Sequence, residues 1–238
     1  MPKRLIFTVT NDLATDQRMI RICSSLAAEY EVILVGRSLP DSAPLKERSF
    51  RQIRLNCFAK KGKFFYLEYN IRLLLFLIFQ NADAYCAIDL DTILPNLIVA
   101  KINGKKLVYD AHEYFPYVPE VIERPMVQKM WLWIERFAMP KVDLCYTVSQ
   151  SIAKVFEQAY KIPVHTIRNV PFERPISQIN KTEKKIVYQG TSKSGVYQVA
   201  HKYARLNNLP LYEIVYKGSV DDNGILHHIP VERHEITL

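Results

Sequence analysis

Glycine is scarce in this chain, with seven in 238 residues, and none lies between Thr8 and Arg18. That stretch follows the first apolar strand, where a dinucleotide-binding protein needs G-x-G-x-x-G so that its backbone can approach a pyrophosphate. The absence argues against NAD or FAD in this domain. The four cysteines, Cys23, Cys57, Cys86 and Cys145, form no C-x-x-C pair. Buried free thiols in a reducing compartment are expected, since a zinc site needs tighter spacing. No G-x-S-x-G elbow is present, so a hydrolase triad lacks its usual geometry. Long apolar runs are missing too. Met1 to Phe7 has too short an apolar core for a secretory signal. Ile71–Phe79, interrupted by Arg72, falls far short of the roughly 20 residues of a membrane span. A cytoplasmic protein is expected, at most peripheral at the inner membrane face. There is no internal repeat or low-complexity tract.

What remains is a composition suited to a folded domain: 49% hydrophobic residues and a formal net charge of +8. Apolar strands alternate with helical stripes. Strands are expected at Leu5–Val9, Glu31–Gly36, Phe50–Leu55, Asp83–Ile88, Lys105–Tyr109, Val142–Tyr146 and Val164–Ile167. Helices are expected at Thr15–Tyr30, Phe64–Phe79, Thr92–Lys101, Arg124–Ala138 and Gln150–Gln158. In the helix over 124–138, Met130, Ile134 and Phe137 read as the inner stripe, with Trp131 and Trp133 beside it. Strands joined by helical crossovers predict an α/β fold, a Rossmann-like, doubly wound, mostly parallel sheet.

Such sheets bind ligands at the carboxyl ends of their strands, which selects the candidate residues. Asp110, His112 and Glu113 follow strand five. An imidazole there can take a proton from a hydroxyl or hydrogen-bond a sugar, with Asp110 or Glu113 orienting it. The alternative is that His112 holds a loop and Glu113 faces solvent. Asp89 and Asp91 follow strand four. Asp91 reads best as a charge at the next helix N-terminus, and Asp89 as a contact for a hydroxylated ligand. Asn11 ends strand one. Arg18 lies near the start of the first helix, placed either to meet an anionic acceptor or at the surface. Asn169 follows strand seven and either holds the turn or faces the crevice. Ser149 reads as a helix cap. Lys60, Lys61 and Lys63 precede Phe64, Phe65 and Tyr66, a pattern that suits an anionic lipid surface or a solvated turn before a buried helix. No nucleic-acid module is visible.

Several ordered stretches together resemble the N-terminal half of a glycosyltransferase of GT-B architecture, in the family 4 group. They are Asp16-Gln17-Arg18, Val35-Gly36-Arg37, Ala87 to Thr92, Val108 to Glu113, Trp133-Ile134-Glu135, Thr147-Val148-Ser149 and Asn169-Val170-Pro171. The resemblance implies two Rossmann-like domains facing across a cleft, the first binding mainly the acceptor and the second the nucleotide sugar. It implies glycosyl transfer to a hydroxyl with retention, without a required metal or cofactor, often in building surface polysaccharide. By the same resemblance His112 lines the cleft flanked by Asp110 and Glu113, and Asn169 matches the loop that closes it. From their strand-end positions Asn11, Arg18 and Asp89 are expected, with Asn169, on the acceptor side.

The later residues depart from the family. Tyr188-Gln189-Gly190 matches the opening of a donor domain, but Thr191 to Gly195 lacks the expected arginine-bearing loop. The expected organisation is an acceptor-side domain over 1–175, a linker over 176–185, and a truncated or degenerate start of the donor domain over 186–238. The chain alone is then expected to be inactive or incomplete. It would be completed by a donor-domain subunit, or else be a non-catalytic binding or structural protein. The expected partners are a glycan or glycolipid acceptor, and a membrane surface touched through residues 60–79.

Overall fold

A computed structural model describes residues 2–38 and 42–170, together with Lys202, Leu206 and the backbone of three short strands at 186–189, 211–214 and 234–235. The chain divides into two compact units, Met1–Pro171 and Phe172–Leu238.

The first unit is a seven-stranded sheet in the order β3-β2-β1-β4-β5-β6-β7, every neighbouring pair parallel. Its strands are β1 (Arg4–Asp12), β2 (Glu31–Ser38), β3 (Arg51–Asn56), β4 (Ala84–Ile88), β5 (Lys106–Ala111), β6 (Leu144–Thr147) and β7 (Val164–Thr166). The strand order reverses between β1 and β4, which makes this the switch point where a crevice opens. The helices are α1 (Gln17–Leu26), α2 (Gly62–Ile78), α3 (Ile93–Ile102), the short α4 (Pro119–Ile122), α5 (Pro125–Ala138) and α6 (Gln150–Tyr160).

Two apolar layers hold the sheet. On one face α2, α3, α5 and α6 bury Tyr69, Leu73, Leu97, Trp131, Ile134 and Phe156 against β4 and β5. On the other, α1 lays Met19 and Cys23 over Phe7, Leu34 and Cys86. Fully burying side chains of this size is worth about 1.5–3 kcal/mol each. Capping sets the helix limits. The Asp16 carboxylate accepts the Met19 N–H and starts α1 later than periodicity alone places it. Ser149 caps α6 by accepting the Ile152 N–H.

The structure departs from the expected elements in particular places. Strand β1 runs on to Asp12, with a register shift between Thr8 and Asp12 against β2. Val9 is freed there from regular pairing, and its carbonyl accepts the hydroxyl of the buried Tyr69 from α2. Residues 115–122, for which no element is expected, form a 3₁₀ turn at Phe115–Tyr117 followed by α4. On α5 the buried positions are Trp131, Ile134, Glu135 and Ala138, while Met130, Trp133 and Phe137 face outward. The inner stripe is thus rotated from the expected one, because Trp131 packs edge-on against Phe115 and Tyr66. The linker 176–185 lies outside the described residues. The second unit contributes β8 (Ile186–Gln189), β9 (Leu211–Ile214) and β10 (His234–Glu235), with β8 and β9 parallel and β9 and β10 antiparallel.

The glycine absent from the β1 loop is replaced by one on the neighbouring strand. At Gly36 on β2 a Cβ would lie 2.3 Å from Leu13 Cδ2 and 2.8 Å from the Asn11 carbonyl oxygen. Only a residue without a side chain lets the loop cross so close. Gly36→Ala is expected to lower stability by about 1–3 kcal/mol, read as a lower urea midpoint, because the loop backbone itself must move.

Candidate functional site at the strand ends

The crevice above β1, β4 and β5 is built from a polar corner. Strand β4 ends at Ile88, and the chain turns through a 3₁₀ segment, Leu90–Thr92, into α3. The residue at the bend, Asp89, has φ 61° and ψ 169°. That region is essentially reserved for glycine, and an L-residue held there costs about 1–3 kcal/mol. The surroundings over-determine it. Asn96 donates to Thr8 Oγ1 and to the Thr92 carbonyl, each at 2.7 Å. Thr92 Oγ1 lies 3.2 Å from the Thr8 carbonyl and 3.1 Å from that of Ile88. Thr10 donates to Asp91 Oδ2 at 2.7 Å, and Asn70 from α2 donates to the Asp91 carbonyl at 2.9 Å. The Asp89 N–H itself donates to the Asp110 carbonyl at 3.0 Å.

This bend carries the Asp89 carboxylate to His112. Asp89 Oδ1 lies 3.0 Å from His112 Nδ1, and the carboxylate acts on the imidazole first as a hydrogen-bond partner and then through its charge. Burial disfavours the imidazolium, but the Asp89 carboxylate outweighs it and raises the His112 pKa. Burial likewise raises the Asp89 carboxyl, with His112 opposing. The His112 side chain is 31% exposed. With Nδ1 turned to the carboxylate, Nε2 is the nitrogen left for a ligand. Glu113, half-buried, has its carboxyl raised by burial and then by the Asp89 charge.

Asp110 is buried beneath the crevice and paired with Arg18 of α1, Nη2 to Oδ1 at 2.6 Å. Burial disfavours the charged Arg18, but the Asp110 pair overcomes it and raises the guanidinium pKa. Arg18 therefore has its own anion within the fold. Tyr146, at the end of β6, has its phenol raised by burial and by Asp110. Asn11 donates to Asp16 Oδ2 at 3.0 Å, steadying the α1 cap. Asn169 accepts from Arg21 of α1 at 2.6 Å, which ties the segment after β7 to the same helix. Of the candidate residues, Asp89, Asp110, His112, Glu113 and Arg18 converge. Asn11 and Asn169 lie at the two approaches to α1. Thr10, Arg21, Asn70 and Asn96 were not singled out from sequence. The one signal for them is a polar residue inside an apolar strand or helix, as at Thr8 and Asn96.

Burial and then the Asp89 charge push the Asp91 carboxyl up to about 7, against the Thr10 hydrogen bond. A pKa raised by folding means that the fold favours the protonated form. Its stabilisation is complete below the ordinary carboxylate range and is lost as pH rises through about 7. Urea midpoints compared at about pH 5 and about pH 8 are expected to fall more for the wild type than for Asp91→Asn. Arg18→Ala strands Asp110 as a buried charge and is expected to cost about 3–5 kcal/mol, measured by the same denaturation.

Comparison with solved structures shows the same fold. Sucrose-phosphate synthase from Thermosynechococcus elongatus superposes with a TM-score of 0.68 at 11% identity, over 93% of this chain and 64% of that one. The lipopolysaccharide outer core galactosyltransferase WaaB, in its apo form, gives 0.54 at 12% identity, over 88% and 68%. UDP-N-acetylglucosamine 2-epimerase from Rickettsia bellii gives 0.54 at 10% identity, over 90% and 62%. The chain thus spans less than two thirds of the synthase and epimerase chains. Comparison with curated proteins gives no match. The seven-stranded sheet is the Rossmann-like first half of a GT-B architecture. The profile described as Glycosyltransferase Family 4 matches residues 17–171, and the chain belongs to that family.

Proposed function

We propose that the Met1–Pro171 unit is the acceptor-side half of a retaining glycosyltransferase, and that the crevice at β1, β4 and β5 receives the hydroxyl to be glycosylated. The observation that carries this reading is the Asp89–His112 pair, at the carboxyl ends of adjacent strands in a chain of this family. In the neutral state Asp89 favours the proton on Nδ1, which leaves the Nε2 lone pair to accept a hydrogen bond from an acceptor hydroxyl. A raised His112 pKa makes that nitrogen a stronger base near neutral pH. In transfer the acceptor oxygen gains a bond to the anomeric carbon on the same face from which the bond to the diphosphate breaks, so configuration is retained. Nucleoside diphosphate leaves with the electron pair, and Nε2 takes the hydroxyl proton. Asp110 and Arg18 act beneath this pair as positioning residues. The acceptor is a glycan or glycolipid.

Charge develops on the diphosphate as its bond breaks, and donors aimed at it are needed for catalysis. We place those donors outside the Met1–Pro171 unit, on a donor half that completes the cleft. The 238-residue chain on its own then turns over a nucleotide sugar poorly. Family membership supports this division.

The test is calorimetric titration of the full chain against free and lipid-linked oligosaccharides and, separately, a panel of nucleotide sugars. Saturable acceptor binding is expected, weakened about tenfold by His112→Ala, as for the loss of one hydrogen bond to a charged or strongly polar partner. No tight nucleotide-sugar binding is expected. Acceptor binding indifferent to His112→Ala contradicts the site, and tight nucleotide-sugar binding contradicts the division of labour.

A further inference from the structure

The helices that cover one face of the sheet carry a second apolar side. On α2, Phe64, Leu67, Ile71, Leu75 and Ile78 recur at intervals of three and four residues and are all exposed, Phe64 at 67%. They lie opposite the buried Phe65, Tyr69, Leu73 and Leu77. On α5 the exposed residues are Met126, Met130, Trp133 and Phe137, again at helical spacing, with Trp133 at 63% and stacked on Phe137. Between them α3 exposes Ile98 and Ile102. All three helices pack on the same sheet face, so their outer sides point the same way. Exposed apolar side chains gathered on three neighbouring helices are uncommon on a free surface and mark an interface.

Charge selects the occupant. Lys60, Lys61 and Lys63 lead into α2, Lys101 lies on α3, and Lys129, Arg136 and Lys141 lie on or just after α5; all are exposed. Cations lie over rings along this surface: Lys63 over Phe64 at 5.3 Å, Lys141 over Phe137 at 3.6 Å and Arg72 over Phe58 at 5.1 Å. No exposed carboxylate shares the three helices. Glu68 is engaged by the Phe58 and Ala59 N–H groups and by Arg72, Glu135 is buried, and α3 has no acid. The neighbouring acids Glu120 and Glu123 lie in α4 and at its end. A second copy would set cations against cations. A surface both apolar and anionic complements both features.

We propose that the outer faces of α2, α3 and α5 form one docking surface for an anionic phospholipid bilayer, on which the domain rests without crossing it. No helix among the described residues is long and apolar enough to span a membrane. Trp133 then sits at headgroup depth, where tryptophan is favoured, and the lysines meet lipid phosphates. The surface extends the expected contact of residues 60–79 to two further helices. It is independent of the acceptor reading, because lipid binding needs neither transfer nor acceptor.

The chain has two tryptophans. Trp131 is buried and Trp133 exposed, so a vesicle-dependent change in intrinsic fluorescence reports Trp133. The experiment adds vesicles of phosphatidylglycerol with phosphatidylcholine, or of phosphatidylcholine alone, to the full chain, with co-sedimentation in parallel. The expected result is a saturable blue shift on the anionic vesicles only, absent in Trp133→Phe. Lys60→Ala, Lys61→Ala and Lys63→Ala combined are expected to weaken binding roughly a hundredfold at low salt. Phe64→Ser with Leu67→Ser is expected to weaken it at least about tenfold. These positions are exposed, and circular dichroism checks that each variant is folded. The proposal is overturned by no shift, by equal shifts on both vesicle types, or by binding unchanged in both sets of variants. A shift that grows with protein concentration without vesicles, alongside a dimer mass in sedimentation, also overturns it and assigns the face to a second copy.

Discussion

Everything chemically suggestive in this domain hangs on one backbone angle. Asp89 is held at φ 61°, where an L-residue is disfavoured. The corner stays bent because Thr8, Thr92 and Asn96 hydrogen-bond to one another beneath it, while Thr10 and Asn70 hold Asp91. A buried polar group without partners costs about 1–3 kcal/mol. Straightening the turn would strand several at once, which outweighs the strain of one residue. The result is a carboxylate lifted from the end of β4 to the imidazole at the end of β5. Without that bend the imidazole at the switch point would lose the carboxylate that offsets its burial and would be a weaker base.

The Arg18–Asp110 pair belongs to the same construction at a deeper level. A buried ion pair adds little net stability, because desolvation cancels most of the Coulomb gain, but losing either partner is expensive. Its effect here is positional. It ties the first turn of α1 to the end of β5, and Arg21 extends the tie to Asn169 after β7. Three loops that the chain visits far apart in sequence are thereby set around one crevice. On the far side of the sheet the helices divide their surfaces between the core and an exposed apolar, cationic face, so one layer serves both packing and docking.

The alternation of strand and helix was legible because parallel strands covered on both faces read as continuous apolar runs, and the helices show a 3.6-residue stripe. Ser149 announced the start of α6, whereas the cap at Asp16, which starts α1 at Gln17, was not read from the sequence. Asp89, Asp110 and His112 were legible as strand-end residues, but their pairing was not. Asp110 seemed a partner for His112, whereas it lies buried against Arg18, and the carboxylate beside His112 comes from the neighbouring strand. Register between β4 and β5 decides that, and one-dimensional spacing does not carry it. The orientation of α5 was ambiguous because both its sides are apolar. An aromatic packing preference at Trp131 settled which one faces the core. The role of Gly36 was hidden for a related reason, since the close approach it permits is to a loop more than twenty residues away.

The central claim is that Asp89, fixed in its strained turn, sets the basicity of His112. The most direct measurement is an NMR titration of the His112 ring in the wild type and in Asp89→Asn. A wild-type pKa above that of an ordinary histidine, falling in the variant while the remaining spectrum keeps its dispersion, is the predicted result. A His112 pKa that is not raised in the wild type, or that does not move when the Asp89 charge is removed from a folded protein, would contradict the account.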